Sequence, residues 1–274
     1  MNEITTDPQI SEMPELAPED MPPPDEELIA DDGVPMETYW HRCAMNLLIE
    51  SASWYNRERT DFFVGGNMFI YYSSRQARTR EYRGPDFFFV WGVPHFPMRP
   101  FWAVWNEGGK YPDLIIELLS PSTAQIDLTV KKELYRTVFH TNDYFCYDPA
   151  TQSLRGWRLR DGEYEPLTPN AEGRLWCQEL GLWLGVWKGT YLDYENVWLR
   201  FFDSQGRLVP IGIEEARANL EAERRQAEQL KAMVGAEQKR AEAAEAEAER
   251  LRALLLAKDS NPQSNGGEGG QQAS

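Results

Sequence analysis

The chain has 274 residues, 26% charged and 42% hydrophobic, with a formal net charge of -16. Residues 1–37 hold twelve acids and no Lys or Arg, so only -4 of that charge belongs to the rest. The balance argues against a strong generic DNA-binding surface without excluding nucleic acid as a substrate. The three cysteines, Cys43, Cys146 and Cys177, are odd in number, far apart and never in CxxC spacing. They argue against a disulfide framework or zinc knuckle and fit a reducing, cytoplasmic setting.

The first residues lack the basic and apolar regions of a secretory signal. No apolar run approaches the ~20 residues that span a bilayer, so no membrane association is expected. Residues 1–36 are rich in Pro and acids and read as an acidic disordered tail, because they bury too little apolar surface to offset their ordering entropy. A folded domain is expected over residues 37–210, where all ten tryptophans lie, from Trp40 to Trp198.

That domain begins with an amphipathic helix over 37–56. Trp40, Cys43, Leu47, Glu50 and Trp54 alternate at spacings of three and four and share a stripe, which Glu50 interrupts. Strand signals follow. Asp61–Val64 leads into a Gly65-Gly66 turn and then Met68–Tyr72, and Phe87–Val90, Phe101–Trp105 and Leu114–Leu118 are short aromatic and β-branched runs. Between Tyr72 and Gly84 a polar stretch carries Arg75, Arg78, Arg80 and Arg83. It is either a phosphate-facing loop or a solvated connection.

A helix is expected from about Ile126 to Phe139, with Asp127 near its positive end. Tyr144–Tyr147 reads as a strand, and Leu154–Leu159 with Tyr164–Leu167 as a hairpin. Leu175 to Leu208 reads as further short β segments. Interspersed helices and strands make the class α/β (α+β). Residues 214–258 are dominated by Ala, Glu, Lys, Arg and Leu and read as a long charged helix. Its large apolar residues keep no clean heptad, so coiled-coil character is weak, and homodimer formation is compatible with it without being required. Residues 259–274 read as a disordered tail.

Two acids stand out. Asp86 follows Pro85 at the start of the apolar strand FFFVW, and Glu117 interrupts the run Leu114 to Leu119. A carboxylate among such residues pays a large desolvation cost unless paired, protonated or bound to a cation. Two acids on neighbouring strands suit Mg²⁺, which takes one or two protein carboxylates and keeps several waters. For each acid alone, the plainer reading is a turn or edge residue with solvent access. Lys131 lies four residues after Asp127 and four before Tyr135, so the three share a helical face. An amine there can steady developing charge on a phosphate. Its plainer role is a surface ion pair with Asp127. The histidines His41, His95 and His140 show no ligand spacing and are assigned to no site. Phosphate-loop, dinucleotide and zinc-protease motifs are absent.

The run PDLIIELLSPSTAQIDLTVKKELYRTVFHTNDYFCYDP resembles a large bacterial restriction-endonuclease family of the PD-(D/E)XK nuclease superfamily. The matching positions are Pro85-Asp86, Glu117, Ser120-Pro121-Ser122, Asp127, Lys131, Tyr135, Asp143-Tyr144 and Asp148-Pro149, over about residues 37–200. The resemblance implies a restriction-endonuclease-like mixed sheet flanked by helices, and a metal-dependent endonuclease acting on nucleic acid, with DNA as the expected substrate. It implies Mg²⁺ (or Mn²⁺) held by Asp86, Glu117 and the carbonyl of Leu118. The superfamily lysine two residues after the second acid is absent, since Leu119 stands there, and Lys131 is its expected replacement. Such folds often place an acid on the first helix, which nominates Glu50; its plainer reading is a boundary glutamate that reaches water. Two rival readings remain: a non-catalytic nuclease-fold binding module, and a scaffold that oligomerises through residues 214–258.

Overall fold

The computed structural model describes residues 21–28, 38–79 and 84–259. The expectations for residues 1–20, 29–37 and 260–274, and for Arg80 and Arg83, lie outside them. The chain divides into two compact units, Met1–Ile213 and Glu214–Ser274.

The first unit is built on a six-stranded mixed sheet. Its strands are β1 (Phe62–Gly65), β3 (Phe87–Trp91), β5 (Leu114–Leu118), β6 (Asp143–Asp148), β7 (Ser153–Arg160) and β8 (Glu163–Pro166), adjacent in that order. Only β5 and β6 run parallel, and the other neighbours are antiparallel. A parallel pair needs a long crossover. Here the crossover is α3 (Ala124–Ile126), a π turn (Asp127–Lys131) and α4 (Lys132–Thr137). The short strands β2 (Ile70–Tyr71) and β4 (Trp102–Ala103) pair separately, and α2 (Ser74–Thr79) follows β2. A second sheet holds β9 (Leu175–Cys177), β10 (Leu182–Tyr191) and β11 (Tyr194–Phe202).

Strand alternation divides the core. Phe87 and Phe89, Leu114, Ile116 and Leu118, and Phe145 and Tyr147 face α1 (Tyr39–Tyr55) and the second sheet. Phe88, Val90, Ile115, Tyr144 and Cys146 face the other way, with Tyr135, Phe139 and Trp102. Both faces of β3, β5 and β6 are covered, so these strands read as continuous apolar runs instead of alternating ones. Glu117 is the acid inside that run, and its side chain is only 1% exposed.

Several sequence expectations need correction. The arginine-rich connection is partly helical, because α2 forms within it. The late β segments are not all short: β10 and β11 form a ten- and nine-residue hairpin. Leu192 and Asp193, both at positive φ, make its two-residue turn, the twist-matched geometry for such a connection. Residues 21–28 are not loose tail. Leu28 is buried against Tyr71 and Ala103, Asn106 donates to Asp25 at 2.9 Å, and Arg78 donates to the Met21 carbonyl at 2.8 Å. One apolar anchor in an acidic stretch supplies what composition averaging hides.

The second unit is occupied by α5 (Gly212–Asp259). Its large apolar side chains, including Leu220, Leu230, Val234, Leu251 and Leu255, are exposed. No helix among the described residues is long and apolar enough to cross a membrane.

Candidate active site

The site forms at one end of the six-stranded sheet, where β3 begins and β5 ends. Antiparallel register places Phe87 opposite Ile116, so Asp86 and Glu117 are neighbours across the strand pair. The Asp86 N–H donates to Glu117 Oε2 at 3.3 Å, and the Leu118 N–H donates to Asp86 Oδ2 at 2.7 Å. The segment before Asp86 is held by the chain after β1. Asn67 N–H donates to the Pro85 carbonyl at 2.8 Å. A Cβ on Gly66 would lie 2.2 Å from the Asp86 carbonyl oxygen, so only glycine lets the two backbones pass this closely.

The crossover supplies the rest. Lys131 Nζ lies 3.1 Å from Glu117 Oε1 and 2.8 Å from Asp127 Oδ1. The Tyr135 hydroxyl donates to Glu117 Oε1 at 2.9 Å. Tyr144, on β6, donates to the Asp127 carbonyl at 2.7 Å and so ties the π turn to the sheet. Single π turns within helices occur often at functional sites. Lys132 points elsewhere, its Nζ 3.8 Å from the Trp157 ring centroid, as its ~100° offset from Lys131 requires.

Three acids therefore surround one ammonium. Burial pushes the Glu117 carboxyl up, Lys131 pulls it back, and Asp86 and Asp127 push it up again, leaving it at about 8. Burial opposes the charge on Lys131, but Glu117 and Asp127 outweigh it and hold the amine above its ordinary value. Burial, then Glu117, raise the Tyr135 hydroxyl well above the usual phenol.

These residues fit a hard divalent cation by donor chemistry, since three acids gathered about one lysine leave an excess of buried acid that favours added positive charge. Among the described residues no group of three or more His, Cys, Asp or Glu is arranged as a ready metal cage. Two carboxylates, Asp86 and Glu117, are the donors that would be available to such an ion, with water completing its shell.

The sequence-nominated residues fare differently. Asp86, Glu117 and Lys131 converge, with Asp127 and Tyr135 beside them. Leu118 meets the site through its N–H, with its side chain in the core. Leu119 is buried among apolar residues, and Lys131 from the crossover stands beside Glu117. Glu50 is not part of the cluster. It is exposed and accepts a hydrogen bond from Tyr191 at 3.1 Å. The stripe that nominated it runs the whole helix, whereas the polar contact from α1 to Asp86 comes from its first turn. His41, passed over for want of ligand spacing, sits there, its Nε2 2.6 Å from Asp86 Oδ1. No sequence signal marks that contact, which spans 45 positions. Arg75 is exposed on α2.

The protein is thus a mixed α+β domain with an acid–lysine cluster at the end of its central sheet. The chain belongs to the Uma2 family, described as "Putative restriction endonuclease", whose model matches residues 13–194. No curated protein matches it. A crystal structure from Anabaena variabilis, described as a "putative nuclease belonging to DUF820", is 15% identical, covering 53% of this chain and 76% of its own, at a TM-score of 0.40.

Proposed function

We propose that the chain is a Mg²⁺-dependent (or Mn²⁺-dependent) endonuclease that hydrolyses phosphodiester bonds, with DNA as substrate. The observation that carries this reading is the cluster in which Lys131 pairs with both Glu117 and Asp127 while Asp86 lies beside Glu117 across the strand pair. Family membership supports the nuclease class. Asp86, Glu117 and the Leu118 carbonyl would hold the cation, which when bound supplies Lewis-acid polarisation of the scissile phosphate and of water.

The chain's own groups do the rest. Lys131 remains an ammonium, because the acids around it favour its charged form. It acts as a fixed positive charge beside a phosphate oxygen, not as a proton acceptor. Tyr135 remains a phenol and fixes the orientation of Glu117 by donating to Oε1. Asp127 holds the Lys131 amine over the site. Arg75 offers an exposed cation for the substrate backbone.

The test is Mg²⁺-dependent nicking of supercoiled DNA by the intact chain and by Asp86→Ala and Glu117→Gln. Nicking by the intact chain and none by either variant supports the site. Undiminished nicking by a folded variant rejects it.

A second reading concerns α5, which pairs two copies into a homodimer. The large apolar residues as a whole keep no clean heptad, since Met233, Leu254 and Leu256 fall off it, but Leu220, Leu230, Val234, Leu251 and Leu255 are exposed and share one alternation of three and four. Alanines fill the intervening places except at Glu223 and Glu237, so the seam is weak. Three free, buried cysteines suit a cytoplasmic setting.

A further inference from the structure

His41 lies in the first turn of α1, where the Thr38 hydroxyl accepts from the His41 N–H at 3.1 Å. That cap fixes the turn and delivers the imidazole to the end of β3. His41 Nε2 lies 2.6 Å from Asp86 Oδ1, and the two side chains are only 12% and 16% exposed. An ionised carboxylate only accepts, so Nε2 carries the hydrogen and donates. The other oxygen, Oδ2, is held by the Leu118 N–H at 2.7 Å. Each oxygen of Asp86 is therefore pinned by a different element, α1 on one side and β5 on the other. A carboxylate oxygen has two lone pairs, so each keeps one for an ion. With the imidazole removed, one hydrogen bond would remain to fix the carboxylate, and it could swing away from Glu117.

We propose that His41 is a positioning residue, which locks the plane of Asp86 so that its free lone pairs face the ion shared with Glu117. The inference rests on the metal-site reading above and adds a group from outside the sheet and crossover. It also explains why the first helix reaches the site through its N-terminal turn, not through Glu50 half a helix away. Outer partners that orient a ligand typically change metal affinity about 10–100-fold when removed.

The test measures Mn²⁺ affinity of the full chain from the electron paramagnetic resonance signal of free Mn²⁺. His41→Ala is compared with His41→Gln, which keeps an N–H donor, and with His41→Ala supplied with imidazole. The expected result is a loss of about 10–100-fold in His41→Ala, largely recovered in His41→Gln or by imidazole, at unchanged thermal midpoint. Unchanged affinity in His41→Ala overturns the proposal, as does an equal loss in His41→Gln without response to imidazole. If His41→Ala does not fold, His41→Gln decides alone: retained affinity supports the role and lost affinity overturns it. Wild-type protein that binds Mn²⁺ but leaves DNA intact defeats the nuclease reading while the affinity series still judges His41. Wild-type protein that binds no Mn²⁺ defeats both.

Discussion

The end of the central sheet and the helix α5 use the same residue types in opposite ways. At the sheet end, acids and a lysine are buried among aromatic rings, and Glu117 and Asp127 are almost closed to solvent. Along α5, acids and bases lie in water and the leucines lie with them. Its ion pairs, such as Arg240–Glu237 at 3.8 Å and Arg250–Glu247 at 3.9 Å, are exposed and contribute little to stability. The comparison teaches where electrostatics acts strongly. A charge removed from water raises or lowers its neighbours' proton affinity, whereas a solvated one is screened.

The largest effect that would break this contrast is on activity. Glu117→Gln keeps the shape of the side chain and removes its charge. Nicking should fall to background, while the thermal midpoint near neutral pH holds or rises, because the folded chain no longer has to keep a proton on a buried carboxyl that the unfolded chain releases. A marked drop in midpoint would instead make Glu117 a structural ion-pair member. Next comes Gly66→Ala. The added methyl would meet the Asp86 carbonyl, and overpacking of this kind costs about 1–3 kcal/mol. Denaturant unfolding should show that loss, with nicking reduced because Asp86 is displaced. Wild-type stability and activity would mean the two backbones separate freely.

A smaller effect is the pH dependence of the metal-free protein. The Glu117 carboxyl lies at about 8 when folded against an ordinary 4.5. Between those values the folded protein holds a proton that the unfolded chain has released. Stability from this group is therefore highest at low pH, falls as pH rises and stops falling above about 8. Thermal midpoints of wild type and Glu117→Gln should converge in acid and diverge toward pH 8, with the variant the more stable. Parallel curves would contradict the buried-acid account. The smallest effect is expected from removing residues 214–274. The number of chains per particle should fall from two to one if α5 pairs two copies, while the melting of the remaining unit barely moves. An unchanged number of chains per particle would end the homodimer reading.

Much of the site was legible because it is local. Asp127, Lys131 and Tyr135 recur every four residues, and a helical face gathers such positions whatever lies beyond it. Glu117 stood out as a carboxylate in mid-strand, and Asp86 as an acid at a strand start. The π turn left the shared face intact. What escaped the sequence is long-range. His41 meets Asp86 across 45 positions, and Gly66 matters only because Pro85 and Asp86 pass beside it. Glu50 misled because a stripe tells which side of a helix is apolar but not which turn faces which neighbour. The order in residues 21–28 depends on Leu28 finding Tyr71 and Ala103, which composition does not encode. The α5 helix was legible for the opposite reason, since its helix formers need no distant partner to suggest their conformation.

Calorimetric titration of Mg²⁺ into the intact chain and into Asp86→Ala tests the central claim most directly. One saturable site in the intact chain and none in the variant is the predicted result. Equal binding by both proteins, or none by the intact chain, would contradict it.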